Sequence, residues 1–302
     1  MAFHGDGVEA RLARLVDRPG YTHVQADLAD RAAVEATFAT HAPQRVVHLA
    51  AQAGVRYAAQ NPHVYVSSNV TGFLHVLEGC RHHGVEHLVY ASTSSVYGAN
   101  LKMPFSEHSP TEHPLTLYAA TKKANEQMAH SYAHLYGIPC TGLRFFTVYG
   151  PWGRPDMALF KFTRGILEGT PIDIYNDGEM YRDFTYVSDL VRGIRLLIDA
   201  APVRPETPED IAPGDSLSPV APYRVVNIGN GDKVRLMDFI TAIEAECGRE
   251  AVKNFMPMQQ GDVPATWADA SLLKSLTGYA PQTPFREGVA RFVAWYRDYY
   301  RV

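Results

Sequence analysis

Short apolar runs alternating with stretches of helical spacing constrain this chain more than any other feature. Tyr21–Ala26, Arg45–Ala50, His87–Ala91 and Gly142–Phe146 read as buried strands. Between them, Arg31–His41, Asn61–His83 and Tyr118–Tyr136 repeat apolar residues at helical intervals. Pro62 suits a first helical turn, and Gly84 and Gly137 suit helix ends. Strands that alternate with helices predict an α/β fold, with a doubly wound parallel sheet covered on both faces.

The rhythm changes after about residue 150. Met157–Gly169 and Ser188–Ala200 read as helices, with an extended piece at Ile172–Tyr175. Ala201–Pro222 carries six prolines and four acidic residues and reads as an exposed loop. Arg224–Ile228 returns as a strand, and Arg235–Cys247 and Pro284–Tyr300 read as amphipathic helices. The expected organisation is a sheet domain over 1–150 and a smaller α/β lobe over 151–302, partly interleaved with it. At 302 residues the chain is long enough to bury a full core.

Composition excludes several classes. With 28 basic and 32 acidic residues the formal charge is −4, so no basic field points to nucleic acid. Cys80, Cys140 and Cys247 show no CxxC spacing and read as buried thiols of a reducing compartment. The thirteen histidines show no metal-ligand spacing. The first twenty residues lack the apolar core of a signal peptide, and no run approaches the roughly 20 apolar residues of a membrane span. A cytoplasmic location is expected.

The chemistry concentrates in Ser92-Thr93-Ser94-Ser95-Val96-Tyr97-Gly98 and Tyr118-Ala119-Ala120-Thr121-Lys122. A Tyr and a Lys four apart share one helical face, where the ammonium is expected to lower the phenol from about 10 toward neutrality. A phenolate beside a hydroxyl at a strand end can take a proton from an alcohol while a nicotinamide takes the hydride. The glycine turn that should hold such a cofactor is missing. Gly5-Asp6-Gly7-Val8-Glu9-Ala10 matches G-x-G-x-x-A, but only four residues precede it, too few for the strand, and Asp6 would repel phosphate. That segment reads instead as a solvated coil leading into a short helix.

These motifs resemble the extended short-chain dehydrogenase/reductase family of nucleotide-sugar epimerases and dehydratases, most closely its UDP-glucuronate 4-epimerases. The resemblance runs from about Glu9 to the C-terminus. Further motifs carry it: Asp27-Leu28, His48 to Arg56, Asn69-Val70-Thr71-Gly72, Arg144 to Pro151, Arg182-Asp183-Phe184 and Gly261-Asp262-Val263-Pro264. It implies a Rossmann-like sheet that here lacks its first strands and glycine loop. A truncated form of a longer enzyme is the expected explanation, with a non-catalytic remnant as the alternative.

The resemblance also implies roles. Tyr118 is the catalytic base and acid, Lys122 its partner and a ligand of the nicotinamide ribose, and Thr93 the hydroxyl beside them. Ser94 and Ser95 stand where related dehydratases carry Asp-Glu, and with Thr147 they can hydrogen-bond a uronate carboxylate and so disfavour loss of CO₂. For NAD, Asp27 and Leu28 face the adenine, Leu49-Ala50-Ala51 allow close backbone approach, and Asn69 lies near the nicotinamide. Tight core packing is the competing explanation for Ala50-Ala51. Arg56 and Arg154 are candidates for substrate charge, and Arg182 and Asp262 for the phosphates and uridine ribose. The implied reaction interconverts UDP-glucuronate and UDP-galacturonate by transient oxidation at C4, with another nucleotide-sugar epimerase or dehydratase as the alternative. Relatives dimerise through helices equivalent to 61–83 and 118–136, so a homodimer is expected.

Overall fold

The computed structural model describes residues 6–259 and 261–302. Gly5 of the N-terminal glycine pattern and the side chain of Arg56 lie outside the described residues.

In chain order the helices are α1 (Asp6–Leu12), α2 (Arg31–His41), α3 (Val55–Gln60), α4 (Pro62–Tyr65), α5 (Gly72–His82), α6 (Leu117–Tyr136), α7 (Ala158–Glu168), α8 (Val187–Asp199), α9 (Leu236–Cys247), α10 (Ser271–Thr277) and α11 (Phe285–Tyr300). The longer strands are β1 (Arg45–His48), β2 (His87–Ala91) and β3 (Cys140–Phe145), followed by the short β4 (Thr147–Tyr149) and by β5 (Ile172–Tyr175). Then come β6 (Tyr181–Arg182), β7 (Phe184–Tyr186), β8 (Tyr223–Ile228), β9 (Val234–Arg235), β10 (Lys253–Met256) and β11 (Ala265–Thr266).

β1, β2, β3 and β8 form one parallel sheet in that order, with Val47 opposite Val89, Val89 opposite Thr141 and Thr141 opposite Arg224. Successive residues of β2 point to opposite faces, as the two-residue period of a strand requires. Leu88 and Tyr90 join a core with Phe38 of α2, Leu77 of α5 and Ala129 of α6. Val89 joins a second core with Ile194 of α8 and Leu273 of α10. The sheet is thus covered on both faces, as the alternation of elements predicts. The last strand, β8, follows the proline-rich loop, which contains only one short 3-10 turn at Pro208–Asp210. A third core, built on α7, α9 and α11, centres on Phe184 and Phe239, whose rings stack 3.9 Å apart.

Helix limits follow local chemistry. Asp30 caps α2 by accepting from the Ala33 N–H at 3.2 Å. Thr116 does the same for α6 through Ala119, and Gly137 ends it with φ +69°.

One expectation fails. Tyr21–Ala26 is not a strand: it runs without a ladder partner among the described residues and is largely exposed. A strand depends on a neighbour for its backbone hydrogen bonds, and no described segment supplies one. For the same reason the outer edge of β1 is unpaired among the described residues, leaving Val47 and Leu49 exposed. The helical reading of Asn61–His83 holds from Pro62 to His82, with a π-helical turn, Val66–Thr71, set between α4 and α5. Gly7 lies inside α1, not in a turn ahead of a helix, consistent with its dismissal as a phosphate loop.

Gly142 shows how tightly the sheet is faced. A Cβ there would lie 2.6 Å from the Tyr90 hydroxyl, which is hydrogen-bonded to Tyr223 at 3.1 Å. Gly142→Ala is expected to cost about 1–3 kcal/mol through overpacking, read as a lower urea midpoint at unchanged slope.

Candidate active site

The site lies at the C-terminal ends of β1 and β2 and along α6, where open α/β sheets place their ligands. Thr93 leaves β2 in an extended conformation and caps the 3-10 turn Ser94–Tyr97, accepting from the Ser95 N–H at 3.2 Å. Its hydroxyl donates to Ser95 Oγ, also at 3.2 Å. Thr93 is buried, whereas Ser94 and Ser95 are half-buried.

Tyr118, in the first turn of α6, remains partly exposed, and its ring meets Tyr65 edge-on at 6.4 Å. Burial pushes its phenol up, while the Thr93 side chain and the Arg154 charge pull it down. The lowering expected from Lys122 is therefore not what this geometry supplies. Lys122 lies one turn further along α6 and is directed inward, 1% exposed. Its ammonium is pushed down to about 8 by burial, with the Glu126 carboxylate opposing that fall. The same ammonium, added to burial, brings His48 down to about 4. His48 is thus neutral at physiological pH, its ring stacked on Phe73.

Asn69 lies in the π-helical turn, a feature frequent at functional sites. Its Nδ2 donates to the Gln52 carbonyl at 3.0 Å and to Thr121 Oγ1 at 3.1 Å, and its Oδ1 accepts from the Gln52 N–H at 2.8 Å. The amide pins the loop after β1 to α6, so both its donors are engaged within the protein. Along that loop Leu49, Ala50 and Ala51 are exposed, next to the edge of β1 that is unpaired among the described residues. Asp27 is exposed and accepts from the Ala29 N–H at 2.9 Å, while Leu28 packs on Gly72.

Arg154 pairs with Asp156 through two hydrogen bonds, at 3.0 and 2.6 Å. Its guanidinium also fills the space beside Gly54, where a Cβ would lie 3.3 Å from it. Tyr65 donates to the Gly54 carbonyl at 2.5 Å, which gathers Gly54, Tyr65, Arg154 and Tyr118 on one side of the site. Thr147 opens β4, and its N–H donates to the Asp183 carbonyl at 3.1 Å. Arg182 and Asp262 form a separate group near β6 and β11. The Arg182 guanidinium donates to the carbonyls of Tyr181 and Val263, each at 2.8 Å, and burial lowers its pKa against the pull of Asp262.

Tyr118 is half-buried and Leu49–Ala51 are exposed. A separate cavity of about 380 Å³, lined by Asn230, Trp267 and Lys274 among others, includes none of the candidate site residues. Among the described residues, no group of three His, Cys, Asp or Glu side chains is placed to hold a metal ion. No helix there is long and apolar enough to cross a membrane.

Sequence reasoning assigned no role to Ser92, Glu126 or Arg144, which form a buried network beneath this site. The available signal was Glu126 falling four residues after Lys122 and eight after Tyr118.

The profile of the NAD dependent epimerase/dehydratase family matches residues 6–211. The chain belongs to that family. Within it, a "Probable UDP-glucuronate 4-epimerase" of Rhizobium meliloti (strain 1021) is 53% identical over 296 residues, covering 97% of this chain and 86% of the relative. "Protein CapI" of Staphylococcus aureus is 54% identical over 266 residues, covering 87% and 79%. Among solved structures, the UDP-glucuronic acid 4-epimerase of Bacillus cereus, in complex with UDP-glucuronic acid and NAD, superposes with a TM-score of 0.85. It is 30% identical, with 97% of this chain and 87% of that chain covered. The Rossmann-type α/β fold of the family is the one described above.

Proposed function

We propose that this protein is an NAD-dependent 4-epimerase that interconverts UDP-glucuronate and UDP-galacturonate. The observation that carries the reading is the hydroxyl-only set Thr93-Ser94-Ser95 at the strand end, whose Thr93 meets Tyr118 of α6, with no carboxylate at Ser94 or Ser95. Its similarity to the Rhizobium and Bacillus proteins supports the choice of substrate.

The residues around Lys122 fit the nicotinamide-ribose end of a dinucleotide: a buried ammonium borders a loop of exposed, small Ala50 and Ala51. Lys122 would hold the ribose, and Asp27 with Leu28 the adenine end. When bound, NAD supplies the hydride acceptor and donor. Tyr118 takes the proton of the C4 hydroxyl and later returns it, and Thr93 holds that hydroxyl in line. Ser94, Ser95 and Thr147 bind the uronate carboxylate through hydrogen bonds, which disfavours decarboxylation of the β-keto acid. Arg182 and Asp262 anchor the uridine diphosphate, and Arg56 and Arg154 balance substrate charge. Anchoring thus stays apart from the reacting carbon.

A homodimer through the helices of 61–83 and 118–136 is part of the same reading, supported by the exposed Val66, Leu74 and Leu135 on those segments. The three free, buried cysteines support a cytoplasmic location. The test is product analysis with the full chain, NAD and UDP-glucuronate. UDP-galacturonate is expected; UDP-xylose or a UDP-4-keto-pentose, formed with loss of CO₂, would overturn the proposal.

A further inference from the structure

We infer that Glu126 is a positioning residue for this reaction: its buried carboxylate locks the helix that carries Tyr118 and Lys122 to the strand end that carries Thr93. The inference rests on the function proposed above.

Tyr118, Lys122 and Glu126 follow one another at four-residue intervals on α6, so they share a face. Glu126 is 1% exposed. Its Oε1 accepts from Ser92 Oγ at 2.7 Å and from Arg144 Nε at 2.9 Å; its Oε2 accepts from a terminal Arg144 nitrogen at 2.9 Å. Lys123 completes the shell at 3.4 Å. Ser92 directly precedes Thr93, so one carboxylate oxygen ties α6 to the loop that presents the catalytic hydroxyl.

Arg144 extends the lock. From β3 it donates to Tyr97 Oη at 3.2 Å and to the Glu107 carbonyl at 3.0 Å. Tyr97 ends the turn that carries Ser94 and Ser95, and it donates to Asn227 Oδ1 of β8 at 2.6 Å. The paired, planar guanidinium and carboxylate fix orientation as well as distance. Stability alone does not call for this arrangement, because well-packed apolar groups of similar volume serve a core at least as well as a buried ion pair. What the pair adds is a defined register between α6, the Thr93 loop and β3.

The carboxylate also sets the charge around Lys122. The titratable groups that interact with that ammonium are Glu126 on α6 and His48 on β1, with Arg144 of β3 and Lys123 of α6 beyond Glu126. Glu126 is the anion among them, and it opposes the loss of the Lys122 proton in a buried site.

The test uses Glu126→Gln and Glu126→Asp in the full chain. Lysine labelled with ¹³C at Cε, without NAD, reads the titration of Lys122, assigned by the resonance lost in Lys122→Met. In Glu126→Gln, Lys122 is expected to titrate about one unit lower than in the wild type. Its kcat on UDP-glucuronate is expected to fall about tenfold, with KM within about twofold. Glu126→Asp retains the charge but not the reach, so kcat falls while the Lys122 titration holds. A folded Glu126→Gln protein with unchanged Lys122 titration and kcat would overturn the inference. If that variant does not fold, Glu126→Gln/Arg144→Gln carries the same two readouts with the same expected results. A Lys122 shift in a chain that does not turn over UDP-glucuronate overturns the proposed function and leaves standing only the tie between Glu126 and Lys122.

Discussion

Tyr118→Phe is expected to lower kcat on UDP-glucuronate about 10³-fold, the usual contribution of a positioned general acid-base. That fall corresponds to about 4 kcal/mol of barrier. The substitution keeps the ring and therefore the edge-on contact with Tyr65 at 6.4 Å, so the protein should unfold as the wild type does. What disappears is the hydroxyl that faces Thr93. The pH profile separates a chemical role from a packing role. In the wild type the phenol must lose its proton to act as base, so activity rises with pH toward the phenol's titration. Burial moves that limb up, and Thr93 with Arg154 moves it back down. In Tyr118→Phe the tyrosine limb should vanish together with the rate. A variant within a few-fold of wild type, still showing that limb, would mean that another group moves the C4 proton.

Much of the fold was legible because its signals are local. His87–Ala91 is buried on both faces, so its apolar run reads the same in sequence and in structure. The limits of α2 and α6 follow from Asp30, Thr116 and Gly137, residues that cap by their own chemistry. Tyr21–Ala26 carries a comparable pattern, but a strand is a property of a pair, and the pairing partner is not among the described residues. The π turn inside Asn61–His83, at Val66–Thr71, was hidden for a similar reason. A π turn there is held by Asn69 bridging to Gln52 and Thr121, seventeen and fifty-two residues away. Strands as short as β6, β9 and β11 hold two residues each, too few to display any period.

The site divides along the same line. Tyr118 and Lys122 announce themselves because four-residue spacing is a helix's own geometry. Glu126 has that spacing too, yet an acidic residue on an amphipathic helix ordinarily faces water, and only the fold shows it 1% exposed. Its partner Arg144 sits on a strand, where nothing in the surrounding apolar residues marks a buried guanidinium. Lys122 illustrates the limit of inference from spacing: the pattern predicted help for the neighbouring phenol, whereas the ammonium interacts with His48 and Glu126.

Arg144→Leu is expected to have the largest effect on stability, about 3–5 kcal/mol, because it strips a buried carboxylate of its two-bonded guanidinium and leaves it only the longer contact with Lys123. Burial by itself pushes the Glu126 carboxyl up. Arg144, through charge and hydrogen bonds, together with Lys123 and Ser92, more than offsets this and holds the carboxyl below its usual range. In the wild type the pair therefore stabilises the fold above the unfolded carboxyl pKa of about 4.3, and that contribution is lost as pH falls through the lower folded value. Without Arg144 the sign reverses. The carboxyl pKa rises above its unfolded value, so the deficit is greatest near neutral pH and shrinks as acid protonates Glu126. Urea unfolding of the variant and the wild type at pH 7.5 and pH 5 measures this directly. The double variant Glu126→Leu/Arg144→Leu should recover most of the loss, since it removes the stranded charge with its partner. That rescue should extend to stability and not to kcat, because the apolar pair refills the space without restoring the hydrogen bond to Ser92. A double variant as unstable as Arg144→Leu would show that the cost comes from shape and not from an unpaired carboxylate.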